Sequence, residues 1–171
     1  LIHVSTDWVF AGSKGNYRES DPADATDLYG RSKYLGEVTE NHTITLRTSI
    51  IGHELSSSNA LLGWFLAQEG QVKGYTKAIF SGLPTVELAR VVRERVLPRP
   101  ELSGLYHVAS APIAKYDLLK LIADVYSKKI EIIPDDALVI DRSLNAERFK
   151  DATGYVAPPW PELVKCMFEF K

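Results

Sequence analysis

The segment LIHVSTDWVF, residues 1–10, joins an apolar, β-branched run to the polar sequence Ser5-Thr6-Asp7. Residues 1–5 are typical of a strand buried inside a parallel sheet. Open α/β sheets bind their ligands beyond the carboxyl ends of the strands. The side chains after this strand are therefore candidates for a binding site, although a hydroxyl such as that of Thr6 more often forms a turn.

Strand and helix patterns alternate along the remaining sequence. Residues 11–27 are rich in Gly, Ser, Asp and Asn and predict a long loop, and Asp27 can cap the helix that follows. Pro134 is expected to stop the last strand, and Pro161 to be the first residue of the last helix. Further strands are predicted over residues 43–50, 104–109 and 130–133, and helices over residues 28–40, 62–66, 88–96, 118–125 and 161–168. This alternation favours an α/β architecture with parallel strand pairs.

Composition and charge narrow the classes of function. The chain has 171 residues, 45% of them hydrophobic and 25% charged, and a formal net charge of −2. This balance gives no electrostatic reason to expect nucleic acid or an anionic membrane as a partner, and no apolar run approaches the roughly 18 residues of a spanning helix. Cys166 is the only cysteine, which excludes an intrachain disulfide and favours a cytoplasmic protein. No set of side chains has metal-ligand spacing, so no metal site is expected.

Tyr29 and Lys33 stand four residues apart in the predicted helix, so their side chains share one face. A free phenol has a pKa near ~10, and an adjacent ammonium favours the phenolate form. Such a pair can transfer a proton near neutral pH, and the lysine can also hydrogen-bond a cofactor ribose. Taken alone, the same spacing more often marks a half-buried tyrosine beside a solvated lysine.

Several ordered segments together resemble one family. They are residues 5–10 with Gly12, then Tyr17, Glu19, Asp21 and Pro22, then Tyr29-Gly30-Arg31-Ser32-Lys33 with Gly36-Glu37, then Arg47-Thr48-Ser49, residues 82–85 and residues 104–107. This pattern resembles extended short-chain dehydrogenases/reductases, and within them dTDP-4-dehydrorhamnose reductases. The resemblance implies an α/β fold comprising the C-terminal part of a Rossmann-type parallel sheet and a small mixed α/β substrate-binding lobe. It divides the chain into residues 1–55, which carry the catalytic side chains, and residues 56–171, the lobe with returning Rossmann elements.

The resemblance also implies roles for individual residues. By position, Thr6, Tyr29 and Lys33 match the catalytic Ser/Thr, Tyr and Lys of the family, and Tyr29 and Lys33 would also contact the cofactor. The other cofactor-binding candidates are Ser5, Thr48, Ser49 and Ile50, and the substrate-binding candidates are Asp7, Trp8 and Arg142. An arginine suits a phosphate because its planar fork binds two oxygens, although an exposed surface arginine is about as common.

Two departures from the family pattern affect these expectations. Ile50 stands where the rhamnose reductases carry an aromatic residue, which changes one wall of the sugar pocket. No glycine-rich dinucleotide loop occurs, since Arg18 occupies the third position of the spacing that Gly12 and Gly15 begin. The pyrophosphate cradle of the family precedes the strand at which this chain starts, so we expect an N-terminal segment to be missing and the 171 residues alone to be inactive.

Three functions are open at this point. The resemblance favours reduction of a keto group on a nucleotide-linked sugar with NADP or NAD as cofactor. A sugar-nucleotide epimerase or dehydratase would use the same three catalytic residues, and a reductase-like binding module would use none of them. A homodimer is also a possibility, because an unpaired apolar sheet edge favours association.

Overall fold

Parallel strand pairs and their connecting helices form the framework of the chain. A computed structural model describes residues 1–56 and 59–170. The strands are β1 (Ile2–Thr6), β2 (Ile44–Thr48), β3 (Ile50–Ile51), β4 (Gln71–Tyr75), β5 (Ala78–Phe80), β6 (Leu83–Pro84), β7 (Gly104–His107), β8 (Ile113–Ala114), β9 (Glu131–Asp135) and β10 (Ile140–Asp141). The helices are α1 (Leu28–Leu35), α2 (Leu61–Ala67), α3 (Thr85–Val91), α4 (Lys115–Val125), α5 (Glu147–Thr153) and α6 (Trp160–Glu169). The prediction of an α/β fold with parallel pairing is confirmed.

The central sheet has the strand order β1-β2-β7, and both of its strand pairs are parallel. Thr6 at the end of β1 pairs with Thr48 at the end of β2. The residues that follow these two strands therefore leave the sheet at the same edge, where α/β sheets bind ligands. Among the described strands β1 lies at the side of this sheet, and Val4 is 42% exposed, so the interior position of β1 in the whole protein stays a prediction.

The described residues form three further sheets. β3 pairs with β6 and β4 with β9, both in parallel, while β5 lies between β10 and the antiparallel β8. β9 continues through Pro134, which pairs with Gly74, so the expectation that Pro134 ends the strand is wrong. The proline is tolerated because β9 belongs to a two-stranded sheet and is an edge strand.

The boundaries of several helices differ from the expected ones. Asp27 caps α1 as predicted, and its carboxylate accepts a hydrogen bond from the backbone N–H of Gly30 at 2.9 Å. α1 ends at Leu35 rather than near residue 40, because the chain turns and directs Glu37 towards a buried arginine. α6 begins at Trp160, so Pro161 is its second residue, a position where the N–H also lacks an intrahelical partner. The apolar pattern did not predict helix α5 or strands β4, β5, β6, β8 and β10.

A large apolar cluster runs through both predicted parts of the chain. It contains Leu46 of β2, Phe65 of α2, Ile122 of α4 and Val164 of α6, each fully buried. The division at residues 55 and 56 stays a prediction, because this cluster draws on both sides of it. No helix within residues 1–56 and 59–170 is both long enough and apolar enough to cross a bilayer.

Candidate active site

A cavity of about 350 Å³ opens where β1 and β2 end, and we call it the Tyr29 cavity. Every residue predicted to be catalytic or cofactor-binding borders it. Its lining consists of Val4, Ser5, Thr6, Trp8, Tyr29, Lys33, Thr48, Ser49 and Ile50. The structure thus brings together side chains from β1, α1 and the β2–β3 junction, as the parallel register requires.

Thr6 is positioned by the short 3₁₀ turn that follows β1. Its hydroxyl accepts a hydrogen bond from the backbone N–H of Trp8 and donates one to the Asp7 carboxylate, each at 3.2 Å. The Thr6 residue is only 7% exposed, so these two bonds fix its rotamer at the wall of the cavity. The hydroxyl therefore has the turn-forming role that is common for threonine, and it also borders the cavity.

Tyr29 and Lys33 approach this turn from the first and second turns of α1. The Tyr29 ring meets the Trp8 ring edge-on, with centroids 5.8 Å apart, and the tyrosine residue is 53% exposed. The Lys33 ammonium donates to the backbone carbonyl of Val4 at 3.0 Å. A Cβ at Gly30 would overlap the Trp8 carbonyl oxygen, so a glycine at this position allows α1 to approach the turn closely.

A second cavity of about 390 Å³ adjoins the first, and we call it the Arg142 cavity. The two cavities share Trp8, Ser49 and Ile50 as lining residues. The predicted substrate-binding residues Asp7, Trp8 and Arg142 all line it. Arg142 is held in place because its Nε donates to the Phe10 carbonyl at 2.7 Å and its guanidinium carbon lies 4.3 Å from the centroid of the Trp8 ring.

The sequence analysis missed several residues of the Arg142 cavity. The most notable is Lys115, the first residue of α4, whose pKa is lowered mainly by burial. The apolar residues that were missed are Leu61, Ile79, Phe80 and Ile140. No sequence signal was present for Lys115, because the apolar pattern placed the start of this helix at residue 118, and only the structure shows Lys115 as its first residue.

A buried ion pair lies directly behind the Tyr29 cavity. The Arg47 guanidinium of β2 binds both carboxylate oxygens of Glu37, with Nε 2.8 Å from Oε1 and Nη2 2.7 Å from Oε2. The two side chains are only 3% and 6% exposed. Ser5 donates its hydroxyl hydrogen to Glu37 Oε1 at 2.6 Å, so this predicted cofactor-binding residue is bonded to the ion pair. His107 is also fully buried, and its Nδ1 lies 3.0 Å from the Tyr17 carbonyl oxygen.

Replacing Asp7 with asparagine should change how stability depends on pH. Burial raises the pKa of the Asp7 carboxyl from 3.8 to about 6, against the opposing effects of the Thr6 hydrogen bond and the Arg142 charge. The folded protein thus keeps a proton that the unfolded chain releases, so stability from this carboxyl is lost as the pH rises from about 4 to about 6. At each pH, the free energy of unfolding of the wild type is subtracted from that of Asp7→Asn. This difference should be about 3 kcal/mol larger at about pH 7 than at about pH 4.

Urea denaturation at both pH values measures this difference. Burial also lowers the pKa of His107 to about 4, so stability from this imidazole is lost as the pH falls, the opposite direction to Asp7. Comparing the variant with the wild type at each pH removes the contribution of His107. A difference between the two proteins that stays constant with pH would contradict the assignment.

A family model described as the RmlD substrate binding domain matches residues 1–169. The chain belongs to the RmlD substrate binding domain family. The resemblance identified from the sequence is thereby confirmed. Arg142 and Trp8, which were predicted to bind substrate, lie around one cavity, and their role stays a prediction.

Relatives of this RmlD-type chain include proteins named as reductases and proteins named as subunits of another enzyme. The chain is 29% identical to a dTDP-4-dehydrorhamnose reductase of Aggregatibacter actinomycetemcomitans over 147 residues, which cover 78% of the chain and 50% of the relative. It is 32% identical to methionine adenosyltransferase 2 subunit beta of Danio rerio over 140 residues, covering 74% and 43%. The chain therefore spans about half the length of these curated relatives.

A solved structure shows the same fold. The dTDP-4-dehydrorhamnose reductase from Bacillus anthracis str. Ames, crystallised in complex with NADP, superimposes with a TM-score of 0.84 at 22% identity. The match covers 100% of this chain and 65% of that one. The Rossmann-like character of the sheet is thus confirmed for the RmlD-type chain.

Proposed function

We propose that the protein carrying this chain reduces a keto group on a nucleotide-linked sugar, with NADPH or NADH as the reductant. The observation that supports this most directly is that Thr6, Tyr29 and Lys33 border one cavity, which continues into the Arg142 cavity. The first cavity has groups that can act on a carbonyl, and the second has room and charge for the rest of the substrate. Membership of the RmlD family agrees with this assignment.

The residues of the Tyr29 cavity fit the nicotinamide end of such a cofactor. Lys33 and Tyr29 offer hydrogen-bond donors for a ribose, and Thr48, Ser49 and Ile50 form the opposite wall. Ser5 borders the same cavity, and its hydroxyl hydrogen goes to Glu37. When bound, the cofactor would supply a hydride to the keto carbon.

In this proposal the chain's own residues handle the oxygen and the proton. The Thr6 hydroxyl holds the keto oxygen by a hydrogen bond, for which it must rotate its hydrogen away from Asp7. Tyr29 would donate its phenolic proton to this oxygen, while the keto carbon would receive the hydride that a bound cofactor supplies, so that the C=O group becomes an alcohol. The half-exposed Tyr29 then recovers a proton from water. The Lys33 ammonium, which donates to the Val4 carbonyl at 3.0 Å, borders the same cavity as the reacting groups.

The stoichiometry of cofactor consumption tests the proposed reaction. With a TDP-4-keto-6-deoxyhexose as substrate, a reductase oxidises one NADPH or NADH for each alcohol formed, which absorbance and product chromatography both measure. An epimerase or dehydratase converts its substrate with no net change in cofactor absorbance. Conversion without net oxidation would therefore contradict the proposal.

A second candidate function is a non-catalytic binding subunit. It is favoured by the 32% identity to a protein named as a subunit of methionine adenosyltransferase. A subunit of this kind would bind a cofactor or nucleotide-sugar without turnover. The intact set of Thr6, Tyr29 and Lys33 around one cavity makes the reductase the stronger of the two candidates.

We further propose that the two parts of the chain have different roles in the reaction, and that the protein is cytoplasmic. Residues 1–55 would carry the groups that act on the keto oxygen, while residues 56–171 would form the substrate lobe, to which Lys115 and Arg142 belong.

A cytoplasmic location is supported by the single cysteine, Cys166, and by dependence on NADPH or NADH. A homodimer is supported by the exposed apolar side chains of α1, Leu28 and Leu35.

A further inference from the structure

Three charged side chains face the Arg142 cavity: those of Asp7, Lys115 and Arg142. Most of the remaining lining is apolar, including Leu61, Ile79, Phe80 and Ile140. Charges that face an apolar wall are screened less than charges on an open surface. The two cations therefore exert a strong field on any group that enters the cavity.

Lys115 occupies a position that does not stabilise its own helix. It is the first residue of α4, where the aligned peptide dipoles disfavour a positive charge. The preceding Ala114 provides no side-chain cap that could compensate. Within residues 1–56 and 59–170, the Lys115 ammonium makes no hydrogen bond or salt bridge, and burial lowers its pKa. Helix stability thus offers no reason for a lysine at this position.

The charges around Lys115 are not balanced. Asp7 attracts the ammonium, but Arg142 repels it, so the cavity has two cations for one carboxylate. The Asp7 carboxylate also accepts a hydrogen bond from Thr6. Arg142 is held through Nε by the Phe10 carbonyl, which leaves its terminal nitrogens for a ligand. The cavity consequently has at least one unit of positive charge to be neutralised by what it binds.

We propose that Lys115 binds an oxyanion of the substrate together with Arg142, and that Lys115 sets the preference of the enzyme for an anionic ligand at this point. This inference rests on the proposed function, because it takes the Arg142 cavity to hold the nucleotide-linked sugar. Two parts of such a substrate carry suitable oxygens: the diphosphate linker and a carboxylate on the sugar ring. The ammonium acts as a point charge and the guanidinium as a two-pronged donor, so both suit phosphate and carboxylate oxygens.

Calorimetric titration of the protein with paired ligands tests this proposal. The pairs are thymidine diphosphate with thymidine, and UDP-glucuronate with UDP-glucose. Lys115→Met should weaken thymidine diphosphate about tenfold if the lysine contacts the linker, and should weaken only UDP-glucuronate about tenfold if it contacts a ring carboxylate. Neutral thymidine should bind equally well to variant and wild type. Lys115→Arg, which keeps the charge, should retain most of the affinity.

A matched control is available on the same helix. Lys120 is exposed on α4, 5.3 Å from the Tyr116 ring centroid, and removing its charge by Lys120→Met should leave all four affinities unchanged. Lys115→Met should not lower the melting temperature, since it removes a cation from the positive end of the helix. Equal affinity of Lys115→Met and wild type for all the charged ligands, or an equal loss in Lys120→Met, would overturn the proposal.

Binding and turnover separate this inference from the proposed function. Tyr29→Phe should bind thymidine diphosphate as the wild type does, because Tyr29 lines the other cavity. If the wild type binds the charged ligands through Lys115 but oxidises no NADPH with a keto-sugar, the reductase assignment fails while the oxyanion site stands. If turnover is normal and Lys115→Met changes no affinity, only the oxyanion site fails.

Discussion

Tyr29→Phe should lower kcat for keto-sugar reduction by about 10³-fold, the size expected when a positioned general acid is removed. The substitution deletes one oxygen and leaves the ring, which keeps its edge-on contact with Trp8 at a centroid distance of 5.8 Å. Substrate and cofactor should therefore bind nearly as before. Steady-state measurements of kcat and KM, with the release of alcohol product as a second readout, give the size of the effect.

Tyr34→Phe provides the matched control for this prediction. Tyr34 lies on the same helix and is also partly exposed, but it does not line the Tyr29 cavity. Its kcat should stay within about twofold of the wild type, since a distant surface hydroxyl takes no part in the proton transfer. Full activity in Tyr29→Phe would contradict the assignment of the general acid, and an equal loss in Tyr34→Phe would point to damage of α1 instead.

Glu37→Gln should destabilise the protein by about 4 kcal/mol, because it leaves the buried Arg47 cation without its counter-charge. The pair is 3% and 6% exposed, so water cannot replace the lost carboxylate. The glutamine has nearly the same volume, which keeps packing changes small. Urea denaturation should show a lower midpoint with an unchanged slope, since the surface exposed on unfolding stays the same.

An exposed ion pair supplies the comparison for this prediction. Arg18 and Glu147 are 59% and 64% exposed, and Glu147→Gln should change the free energy of unfolding by less than about 0.5 kcal/mol. The double variant Glu37→Gln with Arg47→Met should recover part of the lost stability, since no unpaired charge then remains in the interior. A small effect of Glu37→Gln alone would mean that water or another group compensates the arginine.

The family resemblance implied the residues of the Tyr29 cavity, and local geometry accounts for the placement of several of them. Tyr29 and Lys33 share a face through the helical repeat, and Thr6 follows directly from the end of a strand. Asp27 predicted the start of α1 through an ordinary capping pattern. Each of these inferences needs only a few consecutive residues.

Contacts across long stretches of the chain could not be predicted in the same way. Arg142 donates to the Phe10 carbonyl, which is 132 residues away in the sequence. Lys115, at the start of α4, interacts electrostatically with Asp7, which lies in the 3₁₀ turn after β1. The pairing of Glu37 with Arg47 ends α1 early, against the helical pattern of the sequence. β9 continues through Pro134 because it is an edge strand, a property of the sheet rather than of the strand.

The sequence alone was sufficient to determine the fold class, because helical and strand periods act over a few residues. It also determined the family resemblance, and that resemblance implied which groups are expected to act on a carbonyl. The tertiary structure decided which of those groups meet, that a second cavity adjoins the first, and that Lys115 belongs to it. These features depend on contacts between residues that are far apart in the sequence. The burial, dielectric environment and charge balance of a site are set by every element that packs around it, and the local helical and strand patterns do not predict them.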